Sequence, residues 1–156
     1  MLYRGFGYSS PLEYDKLYKK RVRKDRIPRG TDDEAFVRVN EWLDKNGYAR
    51  RDRSVIVTPS IAHASEFGYV GVILPIGRYK YSWVESRDFN YTGNKGWYSH
   101  TAEEAFIEGR EDSMEAFERS IHKKDIMSAI RQKYEIWIEC DSYYIVSERT
   151  YKGMGI

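Results

Sequence analysis

The hydrophobic and polar positions of this chain switch between strand-like and helix-like patterns in an irregular order. Runs that are rich in β-branched or aromatic residues, or that alternate in polarity, predict strands at positions 3–6, 54–58, 69–76, 79–83, 135–140 and 143–146. Apolar residues at helical spacing predict a helix that opens at the capping pattern of residues 31–34 and ends near Gly47. Further helices are predicted at 61–67, with Ser60 as its N-cap, at 101–119 and at 124–131, and another opens at Ser10 and Pro11. Residues 88–99 are expected to form a loop, and residues 152–155 an irregular tail.

This order of elements predicts an α+β domain. Helices interrupt the strands irregularly, and the last two strands are expected to pair as a hairpin around Asp141 and Ser142. We therefore expect a small mixed or antiparallel sheet, either whole or split in two, with helices packed against it. The length of 156 residues fits a single domain, 1–156, with a core of its own.

Composition excludes several classes of protein without naming a function. Charged residues make up 32% of the chain, but the net charge is only +2, which gives little long-range attraction to nucleic acid. The single cysteine, Cys140, excludes an internal disulfide framework and a multi-cysteine zinc site, and no pair of histidines has metal-ligand spacing. No apolar run approaches the roughly 20 residues that cross a bilayer, and the first residues do not resemble a signal peptide. We therefore expect no metal, no membrane association and a cytoplasmic location.

Three strand-like segments that lie far apart in the sequence each carry polar groups suited to nucleotide chemistry. The first contains Arg4, the second ends in Thr58 and Ser60, and the third begins with Glu135. A guanidinium binds phosphate through a fork of donors, and hydroxyls bind a ribose or orient a carboxylate. A carboxylate stabilises the sugar cation that forms when a glycosidic bond breaks. Taken one at a time, each group is more often a surface charge, a helix cap or a salt-bridge partner.

Taken together, the three segments resemble the core of the mono-ADP-ribosyltransferases of the Arg-Ser-Glu type. The aromatic-Arg-Gly pattern of the family's first strand matches Tyr3-Arg4-Gly5. The family's second block, a strand ending in a Ser-Thr-Ser-like triplet before a short helix and an aromatic-Gly pair, is similar to residues 57–68. The glutamate that precedes a strand in the third block corresponds to Glu135. Residues 23–88, with Pro75-Ile76-Gly77 and Trp83 at the usual places, also resemble proteins of large tailed phages.

The resemblance implies a fold and an activity. The fold would be an ADP-ribosyltransferase-like split mixed or antiparallel sheet with flanking helices, and the activity NAD-dependent transfer of ADP-ribose to a host macromolecule. A protein is the favoured acceptor, while nucleic acid and water stay open. The implied catalytic residues are Glu135, Thr58 and Ser60. The implied NAD-binding residues are Arg4, Gly5, Tyr3, Phe67 and Tyr69.

Two positions depart from the family's pattern. Pro59 occupies the middle of the triplet, and Lys133 stands where the family has a Glu or Gln that engages the acceptor. These departures leave open a catalytically inactive module of the same fold, which would bind nucleic acid or an acidic partner protein. Glu139 is an alternative to Glu135 as the key carboxylate. We prefer Glu135, because strand alternation then places it on one face with Trp137.

A run of basic residues offers a second kind of surface. Residues 16–29, from Lys16 to Arg29, contain eight lysines and arginines with Tyr18 among them, and Arg50, Arg51 and Arg53 form a smaller cluster. Such a surface can bind a phosphate backbone or an acidic protein, although a solvated helix face is the commoner arrangement.

Overall fold

The computed structural model describes residues 1–6, 16–24, 33–86 and 97–155. The strands are β1 Tyr3–Phe6, β2 Tyr18–Arg21, β3 Ser54–Val57, β4 Tyr69–Ile76, β5 Lys80–Val84, β6 Ile121–His122, β7 Ile136–Glu139 and β8 Ser142–Ser147. The helices are α1 Asp33–Lys45, α2 Ile61–Ser65, α3 Trp97–Phe106, α4 Glu111–Ser120, α5 Ile126–Gln132 and α6 Glu148–Gly153.

The strands form two antiparallel sheets, which confirms the predicted α+β class. In the first sheet the strand order is β1-β4-β8-β2, and in the second it is β3-β7-β5-β6. The two sheets are linked where Tyr3, at the start of β1, forms a bridge with Thr58, just after β3. The split of the strands into two sheets was one of the two arrangements expected.

A hydrophobic core fills the space between the two sheets. It takes Ile73, Tyr143 and Ile145 from the first sheet, and a matching set from the second. The contributors from the second sheet are Val55, Val57, Trp83, Ile136 and Ile138. Because side chains alternate along a strand, every second residue of β3 and β7 enters this core. We call this layer the inter-sheet core.

Helices cover the outer faces of both sheets. On the second sheet, Trp137 and Val84 pack with Leu43 of α1, Ala102 of α3 and Phe117 of α4. On the first sheet, Tyr3, Val72 and Val146 pack with Ala64 of α2, and Tyr151 of α6 lies against them. The strand β4 lies between two partners and sends Val72 to one face and Ile73 to the other, so its near-continuous apolar sequence reflects burial on both faces.

The predicted hairpin at the end of the chain is wrong. The two strands belong to different sheets: β7 pairs with β3 and β5, whereas β8 pairs with β4 and β2. Between them the carbonyl of Asp141 accepts a hydrogen bond from the N–H of Val22 at 3.0 Å, which ties this crossing to the segment after β2. The two residues between β7 and β8 therefore carry the chain from the second sheet to the first, and they do not form a hairpin turn.

Other predicted elements also differ from those in the structure. The single helix expected at 101–119 is two helices, α3 and α4, separated near Gly109, whose φ of +69° is a conformation that glycine adopts without strain. The middle of the basic run is the strand β2, which pairs with the apolar strand β8, so it is not the face of a helix. The irregular tail expected at 152–155 is helical in its first two residues, because α6 runs from Glu148 to Gly153 and is capped by the Ser147 hydroxyl accepting from the N–H of Thr150.

Several expectations lie outside the described residues. These are the helix opening at Ser10 and Pro11, the capping residue Thr31, the basic positions 25–29 and most of the loop expected at 88–99. Among the helices that the structure describes, none combines the length and the apolar character needed to cross a membrane.

Candidate functional site

The three segments singled out in the sequence lie side by side in the structure. On one side of β3, Thr58 and Tyr3 exchange two backbone hydrogen bonds of 2.8 and 2.9 Å. On the other side, Val57 at the end of β3 is paired with Ile136 at the start of β7. One further step in this antiparallel register sets Thr58 against Glu135. The first, second and third segments are thus consecutive neighbours at one end of the second sheet.

Glu135 is a buried residue with a buried partner. Only 6% of its surface is exposed, and its carboxylate accepts a hydrogen bond of 2.8 Å from Nη1 of Arg51, which is 5% exposed. The Arg51 guanidinium lies 5.1 Å from the centre of the Trp137 ring. The backbone N–H of Glu135 donates to the carbonyl of Ser86 at 2.8 Å, which fixes its position beside β5. Glu135 therefore belongs to the Trp137 face of the second sheet, which the helices cover.

Arg4 occupies the opposite side of the second sheet. Its Nη1 donates to the carbonyl of Ile56 at 3.0 Å. Arg4 also lines a pocket of about 260 Å³, which lies at the margin of the inter-sheet core. The other described residues that line it are Arg21, Val22, Arg23, Ser54, Val55 and Tyr143. We call this cavity the arginine pocket. Its described lining does not include Glu135, Thr58 or Ser60.

The two hydroxyls after β3 organise the turn into α2. The Thr58 Oγ1 accepts from the backbone N–H of Ser60 at 3.0 Å, and the Ser60 Oγ accepts from the N–H of His63 at 3.1 Å. The second contact is an N-cap, as the sequence predicted for Ser60. Thr58 is the buried member of the pair and the one adjacent to Glu135 in register.

The proposed NAD-binding residues divide between the two faces of the first sheet. Gly5 faces α2, where a Cβ atom would lie 2.2 Å from the carbonyl oxygen of Ala64, so its role is to permit close packing. Tyr3 is on the same face, in the core beneath α2. Phe67 is 54% exposed beyond the end of α2, and Tyr69, the first residue of β4, is paired with Phe6, the last residue of β1.

The two departures from the family pattern have local structural roles. Lys133 ends α5 in a left-handed conformation, with φ of 58°, and its N–H donates to the carbonyl of Ile130. Pro59 lies in the bend between β3 and α2. The alternative carboxylate, Glu139, lies at the far end of β7, where it accepts from the N–H of Arg50 at 2.9 Å and pairs with Lys80 at 3.6 Å. Register therefore sets Glu135, and not Glu139, beside Thr58.

Sequence reasoning assigned no role to Arg51, Arg21 or Arg23 beyond membership of basic clusters. Nothing in the local pattern distinguishes Arg51 from Arg50 and Arg53, because its burial depends on Glu135, 84 residues away. Among the described residues, no group of three or more His, Cys, Asp or Glu side chains is arranged to hold a metal ion.

Comparisons with family models, with curated proteins and with solved structures found no match to this chain.

Proposed function

We propose that this chain is an ADP-ribosyltransferase-like domain that uses NAD to modify a host macromolecule. The observation that supports the proposal most strongly is the adjacency of Tyr3, Thr58 and Glu135 at one end of the second sheet. These residues come from three segments that share no local sequence relationship. The resemblance to the transferase family requires these same segments to be neighbours.

In this proposal Glu135 stabilises positive charge on the ribose as the bond to nicotinamide breaks. A fixed carboxylate acts well in this role, because it needs no reorganisation when the charge appears. Arg51 holds the Glu135 carboxylate, and Trp137 lies beneath the guanidinium. Arg4, on the other side of the second sheet, binds the diphosphate of NAD, so NAD has to extend around the end of that sheet where Tyr3, Thr58 and Glu135 are neighbours. Thr58 and Ser60 contribute hydroxyls beside the ribose.

The acceptor that we propose is a protein side chain of a host cell. The near-neutral net charge of +2 gives little long-range attraction to a polyanion, which favours a protein over nucleic acid. The similarity to tailed-phage proteins makes the host cytoplasm the proposed place of action.

The test is transfer of label from NAD. The purified chain is incubated with labelled NAD and bacterial lysate, and both labelled macromolecules and free nicotinamide are measured. Glu135→Gln, whose folding is checked by circular dichroism because it also breaks the ion pair with Arg51, should lower both signals by about 10²-fold or more. Glu139→Gln is the matched control at the other end of the same strand. Equal loss in the two variants, or no turnover by the wild type with any acceptor, would reject the proposed activity.

A second candidate is a binding module of the same fold without catalysis. The burial of Glu135 in an ion pair with Arg51 favours it, because such a pair also serves a purely structural role. This module would bind an acidic protein or nucleic acid through the basic strand β2, whose Lys19, Lys20 and Arg21 are exposed. Folded protein that binds such a partner, in the absence of any nicotinamide release, would support it.

A further inference from the structure

The arginine pocket brings together parts of the chain that the sequence does not relate. Arg4 comes from β1 and Arg21 from β2, and these are the two edge strands of the first sheet. Arg23 follows Val22, which is buried in the inter-sheet core. Three arginines thus line one small cavity whose floor is built from buried residues.

The neighbouring strands fix the position of Arg4. Its guanidinium is bonded to the Ile56 carbonyl of β3, and it lies 5.8 Å from the centre of the Phe6 ring. The Lys20 ammonium lies 5.0 Å from the centre of the same ring, so a fourth cation is held close to the pocket. A guanidinium presents several N–H donors in a planar fork, and bonding one of them to a carbonyl orients the fork.

We propose that the arginine pocket binds the diphosphate group of a nucleotide, with Arg21 and Arg23 acting alongside Arg4. The charge and donor geometry select a phosphate-type anion, because guanidinium forks match pairs of phosphate oxygens. The size of the cavity, about 260 Å³, is below the roughly 300–1,000 Å³ typical of sites that enclose a whole drug-sized ligand. The pocket therefore takes the compact diphosphate, while the attached nucleoside extends outside.

The basic run therefore does not act as one surface. Two of its residues, Arg21 and Arg23, belong to a small-ligand site between the sheets, and only the remaining basic residues are left to form a docking surface for a macromolecule. The identification of the nucleotide as NAD rests on the proposed function. The anion site itself does not, because it depends only on residues that line the pocket.

The test measures binding of inorganic pyrophosphate and of ADP-ribose to the full chain by titration calorimetry at fixed ionic strength. We expect both to bind, and Arg21→Gln and Arg23→Gln each to weaken binding by about tenfold or more, the usual effect of losing a charged hydrogen bond. Lys19→Gln is the matched control, because it removes the same charge from β2 at an exposed residue outside the described lining of the pocket. It should change affinity by less than about twofold if contact rather than net charge decides binding.

Arg4→Gln is less decisive alone, because it also removes the bond to Ile56. Thermal unfolding of Arg4→Gln is therefore measured in parallel. Arg23→Lys provides a second variant, because it keeps the positive charge but loses the planar fork of guanidinium donors. Intermediate affinity in Arg23→Lys supports a phosphate clamp. Failure of the wild type to bind pyrophosphate, or equal affinities in Arg23→Gln and Lys19→Gln, overturns the inference.

The inference and the proposed function fail in different ways. Pyrophosphate binding that depends on Arg23, without nicotinamide release, upholds the pocket and rejects the enzyme. Nicotinamide release with an unchanged KM for NAD in both Arg21→Gln and Arg23→Gln upholds the enzyme and rejects these two arginines as ligands. Tighter binding of duplex DNA than of ADP-ribose, lost in the same two variants, rejects the nucleotide in favour of a nucleic acid.

Discussion

The guanidinium of Arg51 and the carboxylate of Glu135 form a buried ion pair, 2.8 Å between Nη1 and Oε2, across 84 residues of sequence. The pair links the turn before β3 to the residue before β7, so it spans the same two strands that bring Thr58 beside Glu135. A buried ion pair stabilises a fold only modestly, because both charges lose their hydration. The effect of this ion pair is to hold the Glu135 carboxylate in one position.

Breaking the Arg51–Glu135 pair should destabilise the protein strongly. Arg51→Met leaves the Glu135 charge buried without this partner, and we expect the free energy of unfolding to fall by about 3–5 kcal/mol. The double variant Arg51→Met/Glu135→Leu should lose clearly less than the sum of the two single variants. Urea denaturation of all four proteins measures this coupling. Strict additivity would contradict a direct interaction between the two side chains.

Glu135→Gln and Arg4→Ala should affect different steps of the proposed reaction. Glu135 acts on charge that appears only in the transition state, so its amide should lower kcat by about 10²-fold or more. Arg4 acts on a diphosphate that is always charged, so its removal should chiefly raise the Kd for NAD. Single-turnover kinetics and equilibrium binding separate the two effects. The division of roles is wrong if both variants lower kcat equally at unchanged NAD affinity.

Gly5→Ala should be destabilising because of packing alone. The added Cβ would lie 2.2 Å from the backbone oxygen of Ala64 and 2.7 Å from the Cβ of Phe67, so β1 and α2 must separate. Overpacking of this kind costs about 1–3 kcal/mol. Gly153→Ala is the control, because no atom lies within 4 Å of the corresponding Cβ position. Thermal unfolding of both variants checks the prediction, which fails if their melting temperatures are equal.

Cys140 should be unreactive in the native protein. Burial raises the pKa of its thiol from 9.0 to about 11, with smaller contributions from Asp141 and Glu139. At pH 8 the thiolate is then about one part in a thousand, and alkylation by iodoacetamide, followed by mass spectrometry, should be slow until urea is added. Native and unfolded protein reacting at the same rate would contradict this.

The same shift predicts a loss of stability at high pH. The folded pKa is the higher one, so the contribution of the thiol is complete below pH 9 and is lost as the pH rises toward 11. Cys140→Ala should lack this component of the alkaline decline in melting temperature. The shift is absent in solution if wild type and variant decline in parallel.

Duplex DNA should bind weakly at physiological salt if the partner is a protein. The charge-reversal variant Lys19→Glu/Lys24→Glu changes two exposed residues of the basic run outside the described lining of the arginine pocket, and it should leave the affinity for ADP-ribose nearly unchanged. Fluorescence anisotropy over a range of salt concentrations tests both expectations. A tight complex whose affinity falls with a log–log slope of about −0.9 per phosphate contact, and which this variant abolishes, would favour nucleic acid.

The sequence by itself determined most of the local structure. The eight-residue apolar run of β4, the cap at Ser60 and the helix ending before Gly47 depend on short-range patterns, and the structure reproduces them. The alternation along β7, with Ile136 and Ile138 on one face and Trp137 on the other, follows from strand geometry in the same way.

The tertiary structure decided which elements became partners. β7 and β8 are separated by two residues and still belong to different sheets, because both send alternate residues into the inter-sheet core while their other faces are covered by different helices, at Trp137 on β7 and at Val146 on β8. The sequence does not distinguish Arg51 from the basic residues around it, and only the tertiary structure places it beside Glu135. Arg4 of β1 and Glu135, which precedes β7, both come from segments beside β3, but they lie on opposite faces of the second sheet. Sequence patterns repeat over a few residues, whereas burial of a charge or choice of a sheet depends on groups many residues away.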